Sequence, residues 1–128
     1  MNDHRLIPRS VWYGLDGKGY DNIAQELKCE NPKLRTWISV YAVYKYETSN
    51  NAHQYYDFIN TSKPFRYCSI IFTIPTETIE ISDGIDDRDI TITELKQFNS
   101  EEDIHTYLNK KNIDPALFVP PWRCDYPL

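Results

Sequence analysis

The side chains of this sequence best suited to holding a metal are three histidines (His4, His53, His105) and three cysteines (Cys29, Cys68, Cys124). None of them falls into a CxxC, HxxxH or HExxH spacing, so no zinc ligand set is written along the chain. The acidic stretch Asp83-Gly84-Ile85-Asp86-Asp87-Arg88-Asp89 has the oxygen content of a calcium loop. A calcium hand needs oxygen ligands at alternate positions, glycine at the sixth and glutamate at the twelfth. Counted from Asp83, the third position is Ile85; counted from Asp87, the sixth is Ile92. Both registers fail, and the stretch reads as a solvated turn. No metal and no cofactor is expected.

Nucleophilic catalysis needs a thiol or hydroxyl beside a histidine and an orienting acid. Cys68 lies between residues of strand character, with Ile70, Ile71 and Phe72 following, where cysteine serves as a small buried hydrophobe. Cys124, beside Arg123, is the more exposed thiol, but no catalytic signature surrounds it. Gly14-Leu15-Asp16-Gly17-Lys18-Gly19 invites a phosphate-binding reading, with Lys18 as the cation. It matches neither the GxGxxG fingerprint nor a Gly-Lys-Ser/Thr ending, and Asp16 would repel phosphate. A tight turn between Val11-Trp12-Tyr13 and a following helix accounts for the glycines. Paired carboxylates of the glycosidase kind lack any sign of a sugar cleft. The protein is not expected to be an enzyme.

What remains is charge and aromaticity. The 128 residues carry a formal charge of −5. Residues 77–103 hold ten acids against Arg88 and Lys96, a local charge of −8, while the other 101 residues carry +3. The acidic balance argues against direct nucleic-acid binding. Ten tyrosines, five phenylalanines and three tryptophans make up 14% of the chain. Tyr41, Tyr44, Tyr46, Tyr55, Tyr56 and Tyr67 fall in its middle third, where they either fill a half-wet sheet or anchor an interface.

These residues must be positioned by an ordinary globular core. The length fits one α+β domain spanning residues 1–128, large enough to bury its core without staples. Three widely spaced cysteines do not form a disulfide framework. MNDHRLIPRS lacks an apolar signal segment and no run approaches a membrane helix, so a cytoplasmic protein with no membrane contact is expected. Asp21 reads as the N-cap of a short helix over DNIAQELKC. LRTWISVYAVYKY (34–46) is the clearest strand. Leu34, Ile38, Val40, Ala42 and Tyr44 would line one face and Trp37, Tyr41 and Val43 the other, which predicts a central strand covered on both sides. Ser49 or Asn50 could cap a helix carrying Tyr55, Tyr56 and Ile59, closed by Pro64. RYCSIIFTI (66–74) is a second strand, stopped by Pro75.

TETIEIS (76–82) and DITIT (89–93) alternate as an antiparallel hairpin with Ile79, Ile81, Ile90 and Ile92 facing inward. Ser100 caps the best-signalled helix, with Glu101, Glu102 and Asp103 in its first turn, Lys110 and Lys111 in its last, and Ile104, Tyr107 and Leu108 as its apolar stripe. The tail beyond it holds Leu117, Phe118, Val119 and Trp122, too apolar to hang free, and must wrap back. The pattern predicts a mixed or largely antiparallel sheet of about four to five strands with two to three helices.

In length, acidity, absence of motifs and α+β pattern, the chain resembles the small immunity proteins that bacteria pair with polymorphic or contact-dependent growth inhibition toxins. Its Ile, Asn, Lys and Tyr usage also fits an AT-rich bacterial gene. The resemblance rests on whole-chain character, with no shared motif. It implies a cytoplasmic inhibitor that binds one cognate toxin domain, a nuclease above all, and blocks its active site or substrate path. On that reading the partner-binding residues are Asp83, Asp86, Asp87 and Asp89, with Glu101, Glu102 and Asp103 behind them, because fixed carboxylates imitate the phosphates a cationic cleft attracts. The competing readings are an acidic run that only confers solubility, an adaptor, a homodimer joined through a tyrosine-rich sheet face, and a small enzyme of unknown class.

Overall fold

The computed structural model describes residues 6–17, 19–46, 57–81 and 89–127. The element order is α1 (Arg9–Asp16), β1 (Asn22–Leu27), β2 (Leu34–Ala42), α2 (Asp57–Ser62), β3 (Tyr67–Pro75), α3 (Thr76–Ile81), β4 (Thr91–Phe98) and α4 (Glu101–Lys110), with short 3-10 turns at Val43–Tyr46, Pro115–Leu117 and Pro121–Arg123. The four strands form one antiparallel sheet in the order β1-β2-β3-β4. It is an α+β fold, as the sequence pattern predicts.

β2 forms where β-branched and aromatic residues run unbroken, and its two apolar sets do face opposite ways. Ile38, Val40 and Ala42 join a core with Val11, Trp12 and Leu15 of α1 and Ile104 and Leu108 of α4. Trp37 and Tyr41 join a second core with Cys68, Ile70 and Phe72 of β3 and Phe58 and Ile59 of α2. Both faces of the sheet centre are thus covered, and Tyr41 and Tyr67 are buried within these layers.

Two elements differ from the sequence reading. Residues 22–27 are a strand, not a helix capped by Asp21. Ile23, Ala24 and Leu27 fit a helical stripe, but six residues cannot discriminate the two periods. The structure buries Asn22, Ile23, Ala24 and Gln25 consecutively, which only a strand sandwiched on both sides can do. The polar members are satisfied there: Asn22 Nδ2 donates to Ser39 Oγ (3.0 Å) and Gln25 Nε2 to the Asp114 carbonyl (2.9 Å). Residues 76–81 are a helical turn, not the first strand of a hairpin. The Thr76 amide donates to the Lys33 carbonyl (2.8 Å), which turns the chain away as β3 ends at Pro75. The strand expected over 89–93 instead begins at Thr91, runs to Phe98 and pairs with β3 through a bulge at Ile71/Phe72. Ile79 and Ile90 pack against the second core, while Ile92 is exposed, not inward-facing. The Ile81 side chain and the proposed caps Ser49 and Asn50, with Tyr55 and Tyr56, lie outside what is described, but α2 ends at Ser62, ahead of Pro64.

The glycine cluster is also differently used. Val11-Trp12-Tyr13 belongs to α1 itself, and a strand follows. Gly17 caps that helix, its amide donating to the Tyr13 carbonyl (2.8 Å). Gly14 sits inside the helix because the Tyr20 ring lies on it: a Cβ there would come within 2.0 Å of a ring carbon. The tail wraps back as expected. Val119 forms a bridge with Ala24 on the outer edge of β1, Phe118 is fully buried, and Trp37 Nε1 donates to the Cys124 carbonyl (2.9 Å). Leu117 and Trp122 nevertheless stay exposed, because backbone pairing and Phe118 anchor the tail without them.

Candidate functional site

Among the described residues, the acids singled out in the sequence do not gather in one place. Asp83, Asp86 and Asp87 lie outside the described residues. Asp89, half-buried, stands just before β4, and Glu101, Glu102 and Asp103 follow it at the other end. The eight residues of β4 separate the two groups, roughly 20–25 Å at the rise of a β-strand. Glu77 and Glu80 on α3, both exposed, share the Asp89 end of the sheet.

The α4 end is built as the sequence predicts. Ser100 Oγ accepts the Asp103 amide (3.2 Å), and the three acids occupy the first turn, where the helix dipole favours them. Their roles then diverge. Glu101 accepts two hydrogen bonds from the Arg9 guanidinium, which also donates to the Ile7 carbonyl (3.0 Å). Glu102 and Asp103 are exposed and take part in no ion pair among the described residues. Glu94, on β4, is also spent internally, on Lys111 Nζ (2.5 Å) and the Tyr107 hydroxyl. Burial pushes the Glu94 carboxyl up, but those two donors and the Lys111 charge outweigh it and hold it below its ordinary range.

Arg9 brings α1 into the same surface. Its guanidinium lies 5.9 Å from the centre of the Tyr13 ring, and Tyr13 is 63% exposed. Leu6, 51% exposed, joins Arg9, Glu101, Glu102 and His105 around an open cleft of about 290 Å³. The His105 ring is itself fixed: Nε2 accepts the Ile7 amide (3.1 Å) and Nδ1 lies 3.1 Å from the Glu101 carbonyl. The result is a face of two helix starts, clamped to each other, with two apolar anchors beside two exposed carboxylates.

A second cluster sits at the same end of the sheet, and sequence reasoning missed it. The Asp16 carboxylate, on the last residue of α1, accepts the Tyr67 hydroxyl (2.6 Å) and the Tyr44 hydroxyl (2.9 Å). Arg66 approaches it at 3.6 Å, donates from Nε to the Tyr67 hydroxyl (3.1 Å) and lies 4.3 Å from the centre of the Tyr44 ring. The Tyr67 bond, then Tyr44 and Arg66, hold the Asp16 carboxyl below its ordinary value against the opposing effect of burial. Burial and the neighbouring carboxylate push both tyrosines up to about 12. Near neutrality every proton in this cluster therefore stays where it is. It is an arrangement that holds protons rather than one that moves them.

Comparison with protein-family models, curated proteins and solved structures found no match. The chemistry must be read from the chain alone. Among the described residues no three His, Cys, Asp or Glu side chains are placed to share a metal ion. Two of the thiols are poor nucleophiles: burial pushes Cys68 up to about 12, and burial with Asp125 and Glu26 nearby pushes Cys124 up to about 11. A hollow of about 380 Å³ at Lys28, Cys29 and Glu30 has no histidine on its lining among the described residues. No helix among the described residues is long and apolar enough to cross a membrane.

The missed residues left almost no local trace. Arg9 and Glu101 are 92 positions apart and Asp16 and Tyr67 are 51 apart. The one usable signal was Asp16 itself, a carboxylate at a helix C-terminus, where the dipole disfavours it unless donors converge on it.

Proposed function

We propose that the protein is a non-catalytic, cytoplasmic inhibitor of the immunity type, which binds one cognate bacterial toxin domain, a nuclease, and covers its active site or substrate path. The observation that carries this reading is the α1–α4 face. Tyr13 and Leu6 stand exposed at the clamped helix pair, with Glu102 and Asp103 exposed beside them. Exposed aromatic and aliphatic anchors ringed by charge are what a protein interface uses, and fixed carboxylates steer a cationic partner into place. The Asp16 cluster supports the same reading from the other side, since its hydroxyls and carboxylate stiffen the helix that presents Tyr13.

The test is co-expression with the toxin domain encoded beside this chain. A one-to-one complex should form and weaken as salt rises. Glu102→Lys with Asp103→Lys should weaken it by about tenfold or more, and Tyr13→Ala by a hot-spot-sized factor of roughly thirty. Asp86→Lys with Asp87→Lys tests the other acidic residues of the sequence reading and should also weaken the complex. A partner that fails to bind, or binds with indifference to salt and to all of these substitutions, sinks the proposal.

A further inference from the structure

We propose that His105 is a proton-operated latch: its neutral ring fastens the segment before α1, and so the first turn of α1, to α4, and a second ring proton releases it. The inference goes beyond the docking function and does not rest on it. Its basis is the direction of two hydrogen bonds. An amide N–H can only donate, so the ring nitrogen facing Ile7 (Nε2, 3.1 Å) must carry a lone pair. A carbonyl can only accept, so the other nitrogen (Nδ1, 3.1 Å from the Glu101 carbonyl) must carry the hydrogen. Chemistry alone thus assigns the neutral Nδ1–H form. A proton added at Nε2 sets an N–H against the Ile7 N–H, and the acceptor is gone.

The loss matters because Ile7 is fully buried in the first core, and His105 is the partner its amide has among the described residues. The proton can nonetheless arrive. The His105 side chain is 13% exposed and lines the open cleft with Leu6, Arg9, Glu101 and Glu102. Among the described residues, three charged groups stand around the ring. Glu101 on its own helix lies 3.8 Å from Nδ1 and favours the cation, Arg9 on α1 opposes it, and Glu102 stands at the cleft rim. Burial is the largest influence and, with Arg9, outweighs Glu101, so the ring holds its neutral form to lower pH than a solvated histidine. The same segment carries the Ile7 carbonyl that accepts from Arg9, so Arg9's grip on Glu101 is rearranged when the latch opens.

The experiment is amide hydrogen exchange, expressed as protection factors, alongside an NMR titration of the histidine ring protons from about pH 8 to about pH 4.5. The protection of the Ile7 amide should fall at least about tenfold, in step with the titration of His105, while Leu108 in α4 and Ile70 in β3 keep theirs. His105→Gln supplies a carbonyl oxygen to the Ile7 amide and cannot titrate, so its Ile7 protection should be retained and flat with pH. Both proteins retain His4 and His53, so those residues cancel from the comparison. Ile7 protection that stays constant through the His105 titration overturns the proposal, and so does a pH dependence that survives in His105→Gln. The wild-type measurement alone can decide the question if the variant folds poorly, and neither needs a toxin partner.

Discussion

At its first turn α1 is held by a neutral histidine and an exposed ion pair; at its last turn it is held by a carboxylate beneath two tyrosines. Both fastenings tie the helix to elements distant in sequence, yet they respond to different conditions. The Asp16 end uses groups that change protonation only at the extremes, a carboxyl held low and phenols pushed up to about 12. The His105 end uses the one side chain that titrates near physiological acidity. A helix anchored this way has one permanent end and one conditional end. The comparison teaches that the chemical type of a fastening, more than its number of bonds, decides when it lets go.

The sharpest way to break this contrast is at the permanent end. Asp16→Ala takes the carboxylate from the Tyr67 hydroxyl and the Arg66 guanidinium, while the Tyr44 hydroxyl keeps the main-chain carbonyl of residue 16 (2.6 Å). With the carboxylate 36% exposed, the loss should be about 2–3 kcal/mol, read as a lower urea midpoint at unchanged slope. Because the folded carboxyl titrates below its ordinary value, its stabilisation is complete above that ordinary value and disappears as pH falls through the folded one. Asp16→Asn should therefore flatten the acid limb of the stability curve. Tyr67→Phe removes the shortest donor and should cost about 1–2 kcal/mol, with the Asp16 carboxyl rising toward its unperturbed range in a carbon-detected titration.

At the conditional end the effects are smaller and their pH dependence is the informative part. His105→Phe deletes the acceptor for Ile7 and should cost about 1 kcal/mol at neutral pH. In the wild type the His105 contribution is fully present above the ordinary histidine value and declines as pH falls from there toward the lowered folded one; in His105→Gln that decline is absent. Arg9→Ala should cost least, about 0.5 kcal/mol, because exposed ion pairs contribute little, and should fade with added salt. A loss at Arg9 equal to that at Asp16 would erase the distinction between the two ends.

Much of the frame was legible because several signals coincided. β2 is apolar on both of its faces, and α4 has a serine cap, an acidic first turn and a basic last one, so position and role followed together. β1 and α3 were misread because six residues carry too little periodicity to choose a period. The deciding factors lay elsewhere: Gln25 finds its partner in the tail, and Thr76 in the Lys33 carbonyl. The acidic charge was rightly noticed but incompletely resolved. Composition counts Glu94, Glu101 and Glu102 alike, whereas folding neutralises the first two with Lys111 and Arg9 and leaves the third in solvent. Long-range pairing of this kind has no local signature.

The bridge between Ala24 and Val119 bears on how the chain is made. It closes the outer edge of β1 with a residue far along the chain from it. Until Val119 has been made, β1 presents unpaired amides and carbonyls that another nascent chain could adopt as a template. Chains cut short before Val119 should therefore form aggregates seeded at β1, while the chain that includes it stays dispersed.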